Sequence, residues 1–512
     1  MPLLAPRRGY EAKAPSPRPS AVVLHDISRK DGDTTLVMAI IERVRGAIAE
    51  GMIKPGDRLA SSRRMASDLG VARGTVLAAI DALMAEGILI GHRGAGTYVS
   101  PDAGVGGRKA DLSDVPPPLP RCAPVPAIIP PFVGGIDFAV CTPSVEAFPL
   151  GAWRRAVALA ASNRPDGDYG SPRGEMRLRS AITGYPRRAR GLAVDERQVI
   201  VTNGAIQAVN LVARMYLRPG DRVAMEEPGY PLARQVFEMA GAEILPIQVD
   251  NEGLVVERLP RHDRRLRLAY VTPSHQFPMG SRLSMVRRQQ LVEWASQRRA
   301  LILEDDYDGE FRYDVPPLAP LATHSAARNL VYLGTFSKSM FPALRIGFAA
   351  GPADIIDAMA SYRIMMDYQT SALPQQALAR FIEAGELERH VARMRRLYSE
   401  RRMALADAIQ RTGLPGKLTG IEAGLNGLLE LEPGFDAEAV AATAAREGVG
   451  ATPLNRYAMS RKARSALVVG YSALSVENIG RGVEVLARVM TRRSVVRDAN
   501  AQKSRKSRGV SQ

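Results

Sequence analysis

Between residues 198 and 350, short apolar runs alternate with longer segments of helical period, and this alternation constrains the fold most tightly. The runs fall at 198–202, 222–226, 243–246, 267–272, 301–304, 330–333 and 346–350. Helices are predicted from 206, at 232–240 and at 285–299. Buried strands alternating with helices give an α/β fold, a mostly parallel sheet covered on both faces. In such a sheet, ligands gather beyond the carboxyl ends of the strands. Gly204, Tyr230, Asp305 and Lys338 each follow a strand end, so four polar or aromatic groups from distant parts of the chain are predicted to converge.

The densest chemistry lies in Gly334-Thr335-Phe336-Ser337-Lys338-Ser339-Met340-Phe341-Pro342-Ala343-Leu344-Arg345-Ile346-Gly347. A lysine among Ser, Thr, Phe and Met sits where burial disfavours the ammonium, and a neutral amine attacks an aldehyde to form a Schiff base. Arg345 offers a planar fork suited to phosphate, and the Thr335 and Ser337 hydroxyls suit the same anion. A short Ser-x-Lys pattern alone would read as a surface lysine in an ordinary connection. Three partners elsewhere argue otherwise. Asp305, in Glu304-Asp305-Asp306-Tyr307, can hold a pyridine nitrogen protonated. Gly204-Ala205-Ile206 opens a helix whose amides can cradle phosphate. Tyr230 offers an aromatic face. A ligand carrying an aldehyde, a phosphate and a pyridine fits: pyridoxal 5′-phosphate (PLP).

Residues 34–101 read as a separate unit. Leu36, Ile40, Ile41, Val44 and Ile48 recur at helical spacing. A second helix runs from Ser61-Ser62 to Gly70, and a third from about Arg73 to Glu86 before Gly87. Two short strands, 88–90 and 97–99, flank His92-Arg93-Gly94-Ala95-Gly96. This order is a winged helix-turn-helix, with the third helix in the DNA major groove. Arg73 at its start is the candidate base reader. Arg63 and Thr75 suit phosphate or base contacts, and Arg93 and Gly94 at the wing tip suit the minor groove.

The 512-residue chain carries a net charge of +16, which fits a polyanionic partner, double-stranded DNA. Arginine spread along helices such as 389–402 accounts for part of that excess. No apolar run reaches membrane-spanning length and no signal peptide is apparent, so a cytoplasmic protein without membrane contact is expected. Cys122 and Cys141 are the only cysteines and no metal-ligand spacing occurs, so reduced thiols and no metal are expected. Residues 1–33 read as a disordered tail, 102–131 as a Pro-rich linker, 132–490 as the large unit, with its larger part at about 166–374, and 491–512 as a basic tail.

From about Phe132 to Met490 the chain resembles a fold-type I aminotransferase. Together with the winged helix it resembles the MocR family, GntR-type transcription regulators fused to an aminotransferase-like domain. The GntR resemblance rests on Leu59-Ala60-Ser61-Ser62-Arg63 and Gly70-Val71-Ala72-Arg73-Gly74-Thr75-Val76. Ala72 stands where the family has an N-cap serine, and Gly74 leaves the reading face one side chain short. The resemblance implies PLP on Lys338, with Asp305 as the ring-nitrogen partner and Tyr307 beside the cofactor. It also implies a homodimer in which Tyr169 reaches the neighbouring subunit's phosphate.

Two departures stand out. Phe277 replaces the asparagine that bonds the cofactor's 3′-oxygen, which leaves His275 or Gln276 for that bond. Leu467-Val468-Val469-Gly470-Tyr471 lacks the carboxylate-binding arginine, which leaves Arg456 as a substitute. The resemblance therefore implies a regulator that senses PLP, or an amine or amino acid, through an aldimine at Lys338. The alternative is a working aminotransferase with an accessory DNA-binding domain.

Overall fold

A computed structural model describes residues 35–92, 96–103, 132–164, 167–314, 318–324, 327–460 and 464–508. The chain divides into two compact units, Met1–Val125 and Pro126–Gln512.

In the first unit, helices Leu36–Ala49, Ser62–Leu69 and Arg73–Ala85 precede strands Leu89–His92 and Gly96–Val99, which pair antiparallel. Ile40, Ile41, Val44, Met65, Val76, Ile80, Leu83, Leu89 and Val99 form one buried core. Each fully buried aliphatic side chain of this kind contributes about 1.5–3 kcal/mol. Ser61 caps the second helix by accepting from the Arg64 amide at 3.3 Å, and Gly70, at φ 63, closes it. Ala72 is the N-cap of the third helix and makes no side-chain cap bond.

The second unit is built on an eight-stranded sheet. Its order is Val199–Thr202, Gly347–Ala350, Leu330–Thr335, Leu301–Asp306, Leu266–Val271, Arg222–Glu227, Glu243–Asp250 and Gly253–Leu254. The central pairings are parallel, as expected. Gly347–Ala350 runs antiparallel to both of its neighbours, and the edge strand Gly253–Leu254 pairs antiparallel with Glu243–Asp250. Helices Ala205–Tyr216, Pro231–Met239, Met285–Arg298 and Ala353–Ile364 accompany the strands.

A smaller part holds the antiparallel sheet Gly416–Thr419, Asn426–Leu431, Ala466–Gly470 and Thr452–Pro453, with the long helices Glu386–Thr412 and Val476–Arg508. The helix Met176–Arg190 continues through Pro186, because burial of Leu178, Ile182 and Tyr185 outweighs the one lost backbone bond. The last helix runs through the segment read as a tail, as far as Arg508. Among the described residues no helix is long and apolar enough to cross a membrane.

Candidate cofactor site and DNA-binding face

The antiparallel strand organises the sheet edge. Gly347 lies opposite Thr335 on one side and Thr202 on the other. The connection from Lys338 to Gly347 therefore turns at the same edge where Val199–Thr202 ends. Arg345, at φ 52, is delivered to that loop and its Nη2 donates to the Asn203 carbonyl at 3.0 Å. Gly204 holds φ 76, and a Cβ there would lie 2.9 Å from the same guanidinium nitrogen, so only glycine fits. Gly204 is also the N-cap of Ala205–Tyr216, so the Ala205 and Ile206 amides lack partners within the helix. Thr335 Oγ1 donates to Ser337 Oγ at 3.0 Å. Lys338 is half-buried between them and Ser339, whose buried Oγ has no partner among the described residues.

The Asp305 carboxylate is buried at the end of Leu301–Asp306. Its Oδ2 accepts from the Tyr270 hydroxyl at 2.5 Å, while its Oδ1 has no partner among the described residues. Burial pushes the Asp305 carboxyl up to about 6, opposed by the Tyr270 hydrogen bond and the Lys338 charge. Cys141, held at φ 54 with its Sγ donating to Asn426 Oδ1 at 3.0 Å, feels both Lys338 and Asp305. Burial pushes this thiol up to about 12.

Phe277 is ringed edge-on by Tyr230, Tyr307 and Tyr457 at centroid distances of 5.6, 5.8 and 5.1 Å. With Cys141, Met279, Leu454 and Val468 they form one apolar cluster. Sequence reasoning did not foresee where His275 and Gln276 are used. Gln276 Nε2 donates to the Pro228 and Phe277 carbonyls, at 2.9 and 2.6 Å, and its Oε1 accepts from the Met279 amide at 3.1 Å. His275 lies 2.7 Å from Asp308 and 3.3 Å from the Gly420 carbonyl. Arg456, named as a substitute carboxylate anchor, instead pairs on the surface with Glu438 at 3.2 Å.

Tyr169 stands exposed at the rim, its ring 5.1 Å from that of Tyr368. Its carbonyl accepts from Gln369. Two supporting residues went unread in the sequence. Tyr270 looked like a core residue of an apolar strand. Asp367 accepts from Asn203, Gln207 and Arg363 at 3.0, 2.6 and 3.0 Å and so braces the loop before Gly204. Its only local signal is Arg363, one turn earlier on the helix Ala353–Ile364.

In the first unit, Arg63 and Arg73 are exposed and Thr75 is half-buried. Arg73 Nε donates to Ser62 Oγ at 3.3 Å, which steadies the start of the third helix. Arg93 and Gly94 lie outside the described residues. The segment around Arg58 adds to the wing, with Leu59 N donating to Thr97 O and Val99 N to Asp57 O, both at 2.9 Å. The Arg58 guanidinium packs over Gly96, a placement the motif reading did not anticipate. Among the described residues no cluster of His, Cys, Asp or Glu could hold a metal ion.

Comparison with known proteins gives the same two-part division. Residues 36–99 match the bacterial regulatory proteins of the gntR family, and residues 134–486 match aminotransferase class I and II. The chain is 35% identical over 446 residues to the HTH-type pyridoxine biosynthesis transcriptional regulator PdxR of Corynebacterium glutamicum, covering 86% of this chain and 92% of that protein. It is 34% identical over 469 residues to the regulatory protein MocR of Rhizobium meliloti, covering 89% and 94%. The crystal structure of Pyrococcus horikoshii kynurenine aminotransferase, in complex with PMP, superposes with a TM-score of 0.65 at 28% identity, over 70% of this chain and 91% of that one. With both halves matched and such identity sustained along most of its length, the chain belongs to the MocR-type transcription regulators, in which a GntR winged helix-turn-helix is joined to an aminotransferase class I and II domain.

Proposed function

We propose that the second unit is a PLP-dependent sensor that sets how firmly the winged helix grips a promoter. The observation that carries this reading is the Oδ1 of Asp305, a buried carboxylate oxygen at the strand ends that has no partner among the described residues. A buried acceptor left open costs about 1–3 kcal/mol unless something donates to it, and a protonated ring nitrogen would. The residues fit the rest of PLP. Arg345, the Ala205 and Ile206 amides beyond Gly204, and the Thr335 and Ser337 hydroxyls suit its phosphate. Tyr230 suits the ring face, and Lys338 is the amine for its aldehyde. With His275 and Gln276 engaged elsewhere, Tyr307 is the residue left to meet the 3′-oxygen. When bound, PLP supplies a carbonyl that exchanges between amines.

In this reading Lys338 holds the cofactor, Asp305 keeps its ring charged, and the loop braced by Asp367 fixes the phosphate. PLP itself, or an amine displacing Lys338, is the effector. The strand Ala466–Gly470 presents Val468 to the apolar cluster, where a guanidinium would be needed to hold a carboxylate. That favours PLP or a carboxylate-free amine. Arg63, Arg73 and Thr75 contact DNA, with Arg93 and Gly94 at the wing tip. The exposed Tyr169, Tyr362, Ile364, Met365, Met366 and Leu373 support a homodimer.

The test is absorbance and DNA binding on the full chain. Purified protein with PLP should absorb near the visible edge, Lys338→Ala should lose that band, and binding to its own promoter should change with PLP. A colourless protein, or DNA binding indifferent to PLP and amines, sinks the reading. Multiple turnover with an amino acid and a keto acid would point to the enzyme instead.

A further inference from the structure

Three segments meet behind the cofactor edge. Residues 273–280 follow strand Leu266–Val271, residues 307–313 follow strand Leu301–Asp306, and residues 420–424 belong to the smaller part. They are joined closely: Gly424 N donates to Phe311 O at 2.7 Å, Tyr313 N to Glu422 O at 3.2 Å and Tyr313 Oη to Gly424 O at 2.7 Å. Gly280 and Gly420 pack backbone to backbone, with a Cβ on Gly280 falling 2.6 Å from the Gly420 Cα. His275 sits at the centre of this junction. Its Nδ1 is 2.7 Å from Asp308 Oδ2 and its Nε2 is 3.3 Å from the Gly420 carbonyl.

A carboxylate and a carbonyl only accept, so an imidazolium, with a hydrogen on each ring nitrogen, matches both partners at once. The His275 and Asp308 side chains are both 1% exposed, so no bulk water can replace either bond. A Cβ at Gly424 would lie 2.5 Å from His275 Nδ1 and 2.4 Å from Asp308 Oδ2, so the smaller part presses directly on the pair. The Tyr307 hydroxyl, the group facing the cofactor's 3′-oxygen in the reading above, lies 3.1 Å from the same Nδ1.

We propose that His275 is a positioning residue whose charged form clasps the 420–424 loop of the smaller part to the cofactor edge and orients Tyr307, so that losing its proton loosens both together. The clasp rests on the sensor reading and names the regulation of that site. The groups facing His275 are few. Segment 307–313 brings Asp308, Tyr307 and Arg312, whose Nη2 donates to the Ser274 carbonyl at 2.8 Å. Arg190 reaches Ser274 Oγ at 3.0 Å. Loop 420–424 brings the Gly420 carbonyl, its one charged side chain, Glu422, being exposed. Burial lowers the proton affinity of His275, but Asp308 and the Gly420 carbonyl more than restore it, so its pKa lies above the ordinary histidine value. The clasp is therefore complete below the ordinary histidine range and lost as pH rises through the raised value.

The experiment uses the full chain with and without PLP. It follows the absorbance band and the hydrogen exchange of peptides spanning 416–424, corrected for intrinsic rates, across pH. In the wild type, protection of 416–424 should fall in one step as pH rises, and PLP should raise it. Asp308→Asn should move the step down by about 1–3 pH units, the shift expected when an opposite charge is removed. His275→Gln should abolish the step. A wild type without the band removes the sensor reading and the clasp with it. A normal band, with protection that is flat in pH or a step unmoved by either variant, overturns the clasp alone. The wild-type profile decides the matter even if a variant does not fold.

Discussion

The winged helix and the sheet edge carry charge in opposite ways. In the first unit the candidate ligand groups stand in water. Arg63 and Arg73 are exposed, and among the described residues Arg73 has only a 3.3 Å bond to Ser62. At the sheet edge the carboxylates are buried: Glu226, Glu304, Asp305, Asp306 and Asp308 are all under 7% exposed. Burial pushes Glu226 and Glu304 up to about 7 and Asp305 up to about 6. The difference teaches what each region can sense. Exposed cations hold counterions that DNA phosphates displace, so the first unit should respond to salt. Buried carboxyls trade protons for ligand contacts, so the second should respond to pH and to a small cation such as a protonated pyridine.

The sharpest way to break this contrast is Asp305→Asn, which should move two quantities in opposite directions. The folded-state pKa of Asp305 is raised, so its stabilising proton is in place below the ordinary carboxylate value and lost as pH rises through about 6. At pH 7 the PLP-free wild type therefore carries a buried charge that costs about 2–3 kcal/mol, and asparagine relieves it. Chemical unfolding of the PLP-free variant should show that gain at pH 7 and none near pH 4. PLP affinity should fall about 100-fold, because removing one partner of a buried charged pair costs roughly 3 kcal/mol or more. A variant that binds PLP normally would mean that Asp305 does not face the ring.

Arg73→Ala probes the other side with a smaller effect. Promoter affinity should drop by about 1–3 kcal/mol if the side chain reads a base. If it meets only phosphate, binding should weaken across all sequences and the salt slope should fall by about one. The PLP band and its pH response should be unchanged in either case. A shifted band would break the division of labour between the two units.

Legibility followed the same division. The winged helix could be read residue by residue because its signals are local: the Ser61 cap, the closing Gly70 and the helical spacing of Ile40, Ile41 and Val44. At the sheet edge the strand alternation gave away Gly204, Tyr230, Asp305 and Lys338, each next to its own strand end. What escaped depends on partners far along the chain. The antiparallel run of Gly347–Ala350 swings Arg345 onto Gly204. Tyr270 meets Asp305 only because their strands are neighbours. The commitments of His275 and Gln276, and the surface pairing of Arg456, arise from contacts that no spacing announces.

The smallest effect tests the local reading most cleanly. Ala72 already has the extended backbone of an N-cap, φ −63 and ψ 139, and lacks only the oxygen that would accept from the first turn of Arg73–Ala85. Ala72→Ser should therefore stabilise the first unit by about 1 kcal/mol without moving the backbone. In a domain of this size that raises the unfolding temperature by about 4–8 °C. Calorimetry of the full chain should show the transition of the winged helix rising while that of the second unit, with or without PLP, stays fixed. Because the serine hydroxyl is spent on the helix amides, DNA affinity should change far less than in Arg73→Ala. An unchanged transition would mean that neighbouring backbone or water already satisfies those amides.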